Sequence, residues 1–342
     1  MSTSRIKIAI SGLNATDNPA PGLPVAKSLI DEYDIIGLSY DPNEPANYLD
    51  IISKTYLMPY PSLGIDELFK RLKEIKQKED ISIIIPCLDA ELPLYIKYQD
   101  KIEDLGIKVV LPSEENFELR NKNKLTSLSK DLDIKYPKTF EISSIDDLHK
   151  VTQKLSYPIM VKGNYYKAYM AHNFESAIES FYKISNEWGF PILIQEVVTG
   201  EELNLVGMGD GAGNLTGAVT IKKLTTTDIG KIWTGITIDH TPMMDVAKKF
   251  IEKTSWKGPF ELECIVNGND VFMIEINPRF PAWMYFATGV GINLAKQLVD
   301  IANKKEIKPQ LDYPAGKMYV RFVDEIITDF SEFSNLMSKK EL

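Results

Sequence analysis

The chain has 342 residues, 44% of them hydrophobic and 25% charged, which is material for more than one buried core and excludes a disordered or fibrous polymer. With 39 basic against 48 acidic side chains the formal net charge is −9, so neither nucleic acid nor an anionic membrane is an expected partner, although a small phosphate ligand needs only a local basic cluster. No apolar run reaches membrane-spanning length and MSTSRIKIAISG lacks a signal-type core, so a cytoplasmic protein is expected.

Residues 5–111 alternate strand and helix patterns: RIKIAISG, PVAKSLIDEY, DIIGLSY, IDELFKRLKEIKQKE, ISIIIPCLD, LPLYIKYQDKIEDLG and IKVVLP. That rhythm predicts an α/β domain with a parallel sheet between helices. Polar residues just past the carboxyl ends of parallel strands are candidate ligand contacts, here Asn14, Asp17, Asp89 and Glu91. The loop NATDNPAPG has no dinucleotide fingerprint, so a nicotinamide cofactor is not expected. Cys87 and Cys264 lie in apolar runs and read as core; His149, His172 and His240 show no metal-ligand spacing.

The main domain boundary is placed near residue 115. Beyond it the pattern becomes α+β: helix 144–155, strand YPIMVKG, helix 174–187, strand PILIQEVV, then hairpin-like pairs at 202–223 and 260–277. Gly207, Gly209, Gly211 and Gly213 are flanked by strands on both sides, so they belong to a hairpin and not to a phosphate loop, which must open a helix.

The second hairpin ends in MIEINPRF, where Glu275, Asn277 and Arg279 alternate with Ile274, Ile276 and Pro278. With three residues in the loop, Gly268 to Asp270, Glu263 would oppose Glu275; a two-residue loop at Gly268-Asn269 would send them to opposite faces. The odd loop is the expectation, and carboxylates facing each other call for a cation between them. With Asn277 they make a hard-oxygen set suited to Mg²⁺ or Mn²⁺ shared with substrate phosphates, and Arg279 fits a transferred phosphoryl group or acyl phosphate.

Glu263 followed after one hairpin by Glu275-Ile276-Asn277-Pro278-Arg279 resembles the metal and phosphate motif of ATP-grasp enzymes, most closely the carbamoyl-phosphate synthase and biotin carboxylase branch, and the resemblance covers nearly the whole chain. It implies a pre-ATP-grasp α/β domain over 1–115, an ATP-grasp N-terminal or lid subdomain over 116–190 and a C-terminal subdomain with the metal site over 191–342. It further implies Lys122, with Lys124 second by spacing, as a first phosphate contact and Lys162 as the α/β-phosphate lysine. Backbone near Glu196, Val197 and Val198 would bind the adenine, and Glu202 the ribose.

The chain departs from the family in the loop 163–172, which keeps only Gly163 where a glycine- and serine-rich lid is usual. Lys167 then either replaces amide donors as a point charge, or the loop's tyrosines meet a larger acceptor. The activity implied is an ATP-dependent carboxylate–amine ligase that forms an amide through an acyl phosphate on a small molecule or peptide, with Arg279 and Lys162 as catalytic cations. The alternatives are phosphorylation of carbamate or bicarbonate, and a non-catalytic ATP-binding regulatory module. A homodimer is allowed for, with the oligomeric state not fixed by the sequence. The tail 311–342, with KMYVRFV and an acidic helix, either completes a sheet or meets a partner.

Overall fold

The computed structural model describes residues 5–163, 167–228 and 230–342. The first stretch holds β1 (Lys7–Ser11), α1 (Gly22–Leu29), β2 (Asp34–Ser39), β3 (Lys54–Leu57), α2 (Ile65–Glu79), β4 (Ile83–Ile85), α3 (Leu92–Lys97), α4 (Gln99–Asp104) and α5 (Glu114–Glu118). The strands form a parallel sheet in the order β3-β2-β1-β4, with Ile8 in register with both Ile35 and Ile83. Side chains alternate faces along each strand, so Ile8, Ile10, Ile35, Ile83 and Ile85 enter one core and Ala9, Ile36, Leu38 and Ile84 the other. This is why the runs read as continuously apolar. Helix α2 covers the second face with Leu68, Leu72 and Ile75, at the spacing of one helical stripe. Its buried Glu79 accepts from Lys7 Nζ at 2.7 Å and Tyr56 Oη at 2.6 Å, and with Lys54 these contacts hold its carboxyl down at about 2 despite burial. The single helix expected over LPLYIKYQDKIEDLG breaks at Tyr98 into α3 and α4.

The next stretch holds α6 (Lys122–Asp131), β5 (Thr139–Ile142), α7 (Ile145–Thr152), β6 (Ile159–Gly163), β7 (Ala168–Ala171), α8 (Phe174–Trp188) and β8 (Ile192–Glu196). Its strands make an antiparallel sheet in the order β5-β8-β6-β7. Ser144 caps α7 by accepting from the Asp147 amide at 3.1 Å, and Asn173 with Ser176 closes a reciprocal capping box on α8. Ile159, Val161, Ile192 and Ile194 are buried in one core cluster with residues of both helices, which leaves Met160, Lys162, Leu193 and Gln195 for the opposite face.

The remainder comprises β9 (Glu201–Asp210), β10 (Leu215–Thr226), β11 (Ile232–Thr237), α9 (Thr241–Thr254), β12 (Lys257–Asn267), β13 (Asp270–Asn277), α10 (Tyr285–Gly289), α11 (Leu294–Ala302), β14 (Met318–Val320) and α12 (Phe330–Lys339). The chain divides into two compact units, the first made of Met1–Phe117, Asn204–Glu261 and Asn277–Leu342, the second of Glu118–Leu203 and Leu262–Ile276. The parts of β9 and β12 that belong to the first unit lie side by side with β10, β11 and β14 in the order β12, β9, β10, β11, β14. The glycine run is a hairpin connection as expected: β9 ends at Asp210, whose carboxylate accepts from the amides of Ala212 and Asn214, and Gly211 and Gly213 take φ of +85° and +89°. The tail does join sheets, since β14 pairs with β11 while the Thr55 and Leu342 backbones exchange hydrogen bonds of 2.8 and 2.9 Å. Both cysteines are fully buried. Among the described residues no helix is long and apolar enough to cross a membrane.

Candidate nucleotide-phosphate site

Lys122 opens α6 and Lys162 stands near the end of β6, both within the second unit. Lys122 Nζ donates to the carbonyl of Gly163 at 3.5 Å, whereas Lys124 turns away to an exposed ion pair with Glu118. Lys162 Nζ donates to Gln195 Oε1 at 2.6 Å. Gln195 is itself fixed, because its Nε2 donates to Thr139 Oγ1 at 2.8 Å and to Tyr136 Oη at 3.3 Å, and Tyr136 Oη donates to the Lys122 carbonyl at 3.2 Å. The Lys162 ammonium and the Lys122 main chain are therefore joined by one polar network, while the Lys122 ammonium rests on the Gly163 carbonyl.

Burial lowers the pKa of both. Lys162 is pushed down to about 8, first by desolvation and then by the neighbouring Lys122 charge, while Glu275 opposes the shift. Lys122 is lowered by desolvation, again against Glu275. Cations crowded together and partly stripped of water form a site that favours a multiply charged anion.

Lys167 is exposed at φ +67°, and its carbonyl accepts from the Gly163 amide at 3.0 Å. Asn164, Tyr165 and Tyr166 of the expected lid lie outside the described residues. On the hinge side, the Glu196 N–H donates to the Lys138 carbonyl at 2.9 Å and the Glu196 carboxylate accepts from the Lys138 amide at 2.7 Å. Strand pairing ends there, so Val197 and Val198 leave the sheet with main-chain groups outside any ladder. Glu202 is exposed near the start of β9.

The carboxylate hairpin corrects the expected loop. Strand β12 runs to Asn267 and β13 starts at Asp270, so Gly268 and Asn269 alone form the turn. Gly268 at φ +61° supplies the conformation that a two-residue turn needs at its first central position. Strict alternation would then point Glu263 and Glu275 to opposite faces, but the alternation of β13 fails near its end. Val271 and Met273 are buried and Phe272 and Ile274 half-buried; Glu275 is then exposed, and Ile276 and Asn277 are both buried. The alternation of buried and half-buried positions thus stops at Glu275, inside a strand that runs from Asp270 to Asn277. Glu275 acts on both lysines, which sets its carboxylate on their side. Glu263 is half-buried, between the buried Leu262 and Cys264. Among the described residues no three His, Cys, Asp or Glu side chains gather as a metal site; the expected set has two carboxylates and an amide.

Asn277 and Arg279 belong to the first unit. Asn277 Nδ2 donates to Glu261 Oε2 at 2.9 Å, which fixes the orientation of the amide. Glu261, only 4% exposed, also accepts from Asn204 Nδ2 at 2.8 Å and Trp283 Nε1 at 2.7 Å. Arg279 donates from Nε and Nη2 to a single oxygen of Asp89, at 2.9 and 2.6 Å, and from Nη1 to the Phe280 carbonyl at 3.1 Å.

Of the strand-end candidates, Asp89 is thus joined to Arg279. Glu91 is instead a fully buried clamp on its own loop: it accepts from Ser11 Oγ, Tyr40 Oη at 2.6 Å, and the Cys87 and Leu88 amides at 2.9 and 3.0 Å. Burial still pushes its carboxyl up. Asn14 Nδ2 donates to the Asn18 carbonyl at 2.9 Å, and Asp17 accepts from the Asn18 amide at 3.0 Å. Sequence reasoning missed Gln195 and Glu261. Glu261 was signalled by its spacing, since E-L-E sets it on the Glu263 side of one strand.

No family model matches the chain. In sequence it is similar to the carbamoyl phosphate synthase large chains of Clostridium acetobutylicum, 23% identical over 292 residues covering 81% of this chain and 26% of that one, and of Sulfolobus acidocaldarius, 23% identical over 313 residues covering 84% and 27%. The chain therefore spans about a quarter of the length of these curated relatives. In structure it is similar to the biotin carboxylase domain of Hydrogenobacter thermophilus 2-oxoglutarate carboxylase, which was solved with MgADP, ADP and bicarbonate (TM-score 0.69, 12% identity, 92% of this chain and 74% of that one). It is also similar to N5-carboxyaminoimidazole synthetase of Staphylococcus aureus (TM-score 0.69, 16% identity, 90% and 80%) and L-amino acid ligase of Bacillus licheniformis (TM-score 0.65, 14% identity, 90% and 78%). At such identities the structural likeness is one of fold.

Proposed function

We propose that this chain, an ATP-grasp protein of the carbamoyl-phosphate-synthase and biotin-carboxylase branch, is an ATP-dependent ligase that activates a carboxylate as its acyl phosphate and passes the acyl group to an amine. The observation that carries the reading is the desolvated pair Lys122 and Lys162, with Lys162 pushed down to about 8 beside Glu275. Such a pair costs stability in the absence of a ligand and is relieved by the oxygens of a polyphosphate.

In this reading residues 1–115 form the pre-ATP-grasp domain, 116–190 the lid subdomain and 191–342 the C-terminal subdomain. Val197 and Val198 offer main chain to the adenine, Glu202 meets the ribose, and Lys167 adds a charge at the lid. The hard-oxygen donors Glu263, Glu275 and Asn277 fit Mg²⁺ or Mn²⁺, which when bound supplies charge neutralisation at the phosphate oxygens. Lys162 binds the phosphates and Arg279 steadies the transferred phosphoryl group, with Asp89 setting its direction. Glu261 orients the Asn277 amide. The acid and the amine are small molecules or peptides.

The test is ADP release with Mg²⁺, ATP and a panel of carboxylates and amines. Stimulation that needs both an acid and an amine is expected. Turnover driven by bicarbonate alone would favour carboxyphosphate chemistry, and ATP binding with no stimulated turnover would reduce the chain to a regulatory module.

A further inference from the structure

A cavity of about 940 Å³ is lined wholly by residues of the first unit, none of them among those assigned above to nucleotide and metal. Its walls come from the loop after β1 with α1, from α10, and from β14 with the chain that follows it. Leu23, Ile51, Trp233, Tyr285 and Phe286 make it largely apolar. Phe322 and Val323 line it too, although 72% and 81% of their surface is exposed. Apolar side chains left open around a concave space of this size, within the roughly 300–1,000 Å³ of small-molecule pockets, are the walls of a binding site awaiting its occupant.

The charge in that wall says what the occupant carries. Arg321 is half-buried; its Nη2 donates to the Ala282 carbonyl at 3.0 Å, and its guanidinium carbon lies 5.8 Å from the Tyr319 ring centre. Its Nε is buried without a hydrogen-bond partner. A guanidinium N–H drawn out of water without a partner is unfavourable until an acceptor, best an anion, reaches it. Lys27, whose Nζ stands 6.0 Å from the Tyr285 ring centre, and Lys317 add positive charge to the same walls, while the exposed Asp17, Asp50, Asp324 and Glu325 also line them and disfavour a second carboxylate on the occupant.

We propose that this cavity binds an organic acid with one carboxylate and a bulky apolar body, the carboxylate on Arg321 and the body against the rings. The proposal rests on the ligase reading only for the role of that acid, as one of the two organic substrates.

The experiment is calorimetric titration of the full chain, without nucleotide, using 3-phenylpropionate and its uncharged analogue 3-phenylpropan-1-ol. The acid is expected to bind about tenfold tighter than the alcohol, in line with a charge-assisted contact. Arg321→Gln should abolish that difference. Phe322→Asp, at an exposed position, should weaken the acid by a similar factor with circular dichroism and ADP affinity unchanged. Equal binding of acid and alcohol, wild-type affinity in both variants, or no heat at millimolar acid overturns the proposal. Arg321-dependent binding without acid-stimulated ADP release would leave the site standing and remove the ligase; stimulation by acids that do not compete with the probe would do the reverse.

Discussion

Lys162 provides the sharpest test because its environment acts on one proton. Its ammonium sits at about 8 in the folded chain against an ordinary 10.5, so between those values the unfolded chain holds more protons and stability rises with pH. The gap corresponds to about 3 kcal/mol, present as a penalty in full below pH 8, where both states are charged, and relieved as pH climbs towards 10.5. Replacing Lys162 by Met removes the titration, but it also strands Gln195 Oε1, a cost of about 1–3 kcal/mol that makes the variant's stability at any single pH uninformative. The difference between wild type and Lys162→Met across pH is free of that term. Urea unfolding of both proteins should show wild type gaining about 2.5 kcal/mol on the variant between pH 7 and pH 10, with little change below pH 8. Parallel stabilities over that range would mean that Lys162 is solvated like a surface lysine, and the anion-site argument would fail with it.

Nucleotide binding should draw Lys162 back towards its ordinary charge state: in weakly buffered solution near pH 8, ADP with Mg²⁺ should take up about half a proton per site, falling to near zero at pH 6.5. Uptake that does not vary with pH would disconnect the lysine from the phosphates. Glu261→Gln turns an amide N–H₂ towards groups that already donate, and should cost about 2–3 kcal/mol in urea unfolding while weakening Mg²⁺ binding through a misdirected Asn277. Unchanged stability would show that the network repacks without loss. Asp89→Asn should lower kcat by roughly tenfold and leave the KM for ATP near wild type, since it loosens the Arg279 guanidinium without touching the lysines. A raised KM with full kcat would make Asp89 a binding residue instead.

The parallel sheet was legible because its runs bury both faces: KIAIS, DIIGLS and III have no polar alternation to confuse with an amphipathic strand. The glycine run was legible for a related reason, since strand patterns on either side exclude a loop that must open a helix. The parity of the carboxylate hairpin was not. N-G-N-D accommodates a loop of either length, and the choice was made by Gly268 entering the left-handed region, a backbone event with no periodic signature. Burial then ceases to alternate at Glu275, because what covers a strand position depends on the elements around it as well as on strand parity. Glu91 illustrates a different limit. Position at a strand end made it a ligand candidate, yet its donors come from Ser11, Tyr40, Cys87 and Leu88, two of the four on other segments, and which segments converge is a tertiary fact.

The same reasoning separates two kinds of buried charge in this chain. Glu79 and Glu261 are carboxylates surrounded by donors, each satisfied within the fold, so their burial fixes the structure and requires no ligand. Lys122 and Lys162 are different in kind: their contacts within the network are to neutral oxygens, and each adds to the other's crowding or shares a single opposing carboxylate. Hydrogen bonds to amide and carbonyl oxygens orient an ammonium without neutralising it. Folding thus holds two cations in position with their charge only partly offset by Glu275, and in the proposed reading the free energy withheld there is returned when phosphate oxygens replace the lost water. The pre-arranged deficit, more than any single motif residue, ties the sequence to nucleotide chemistry.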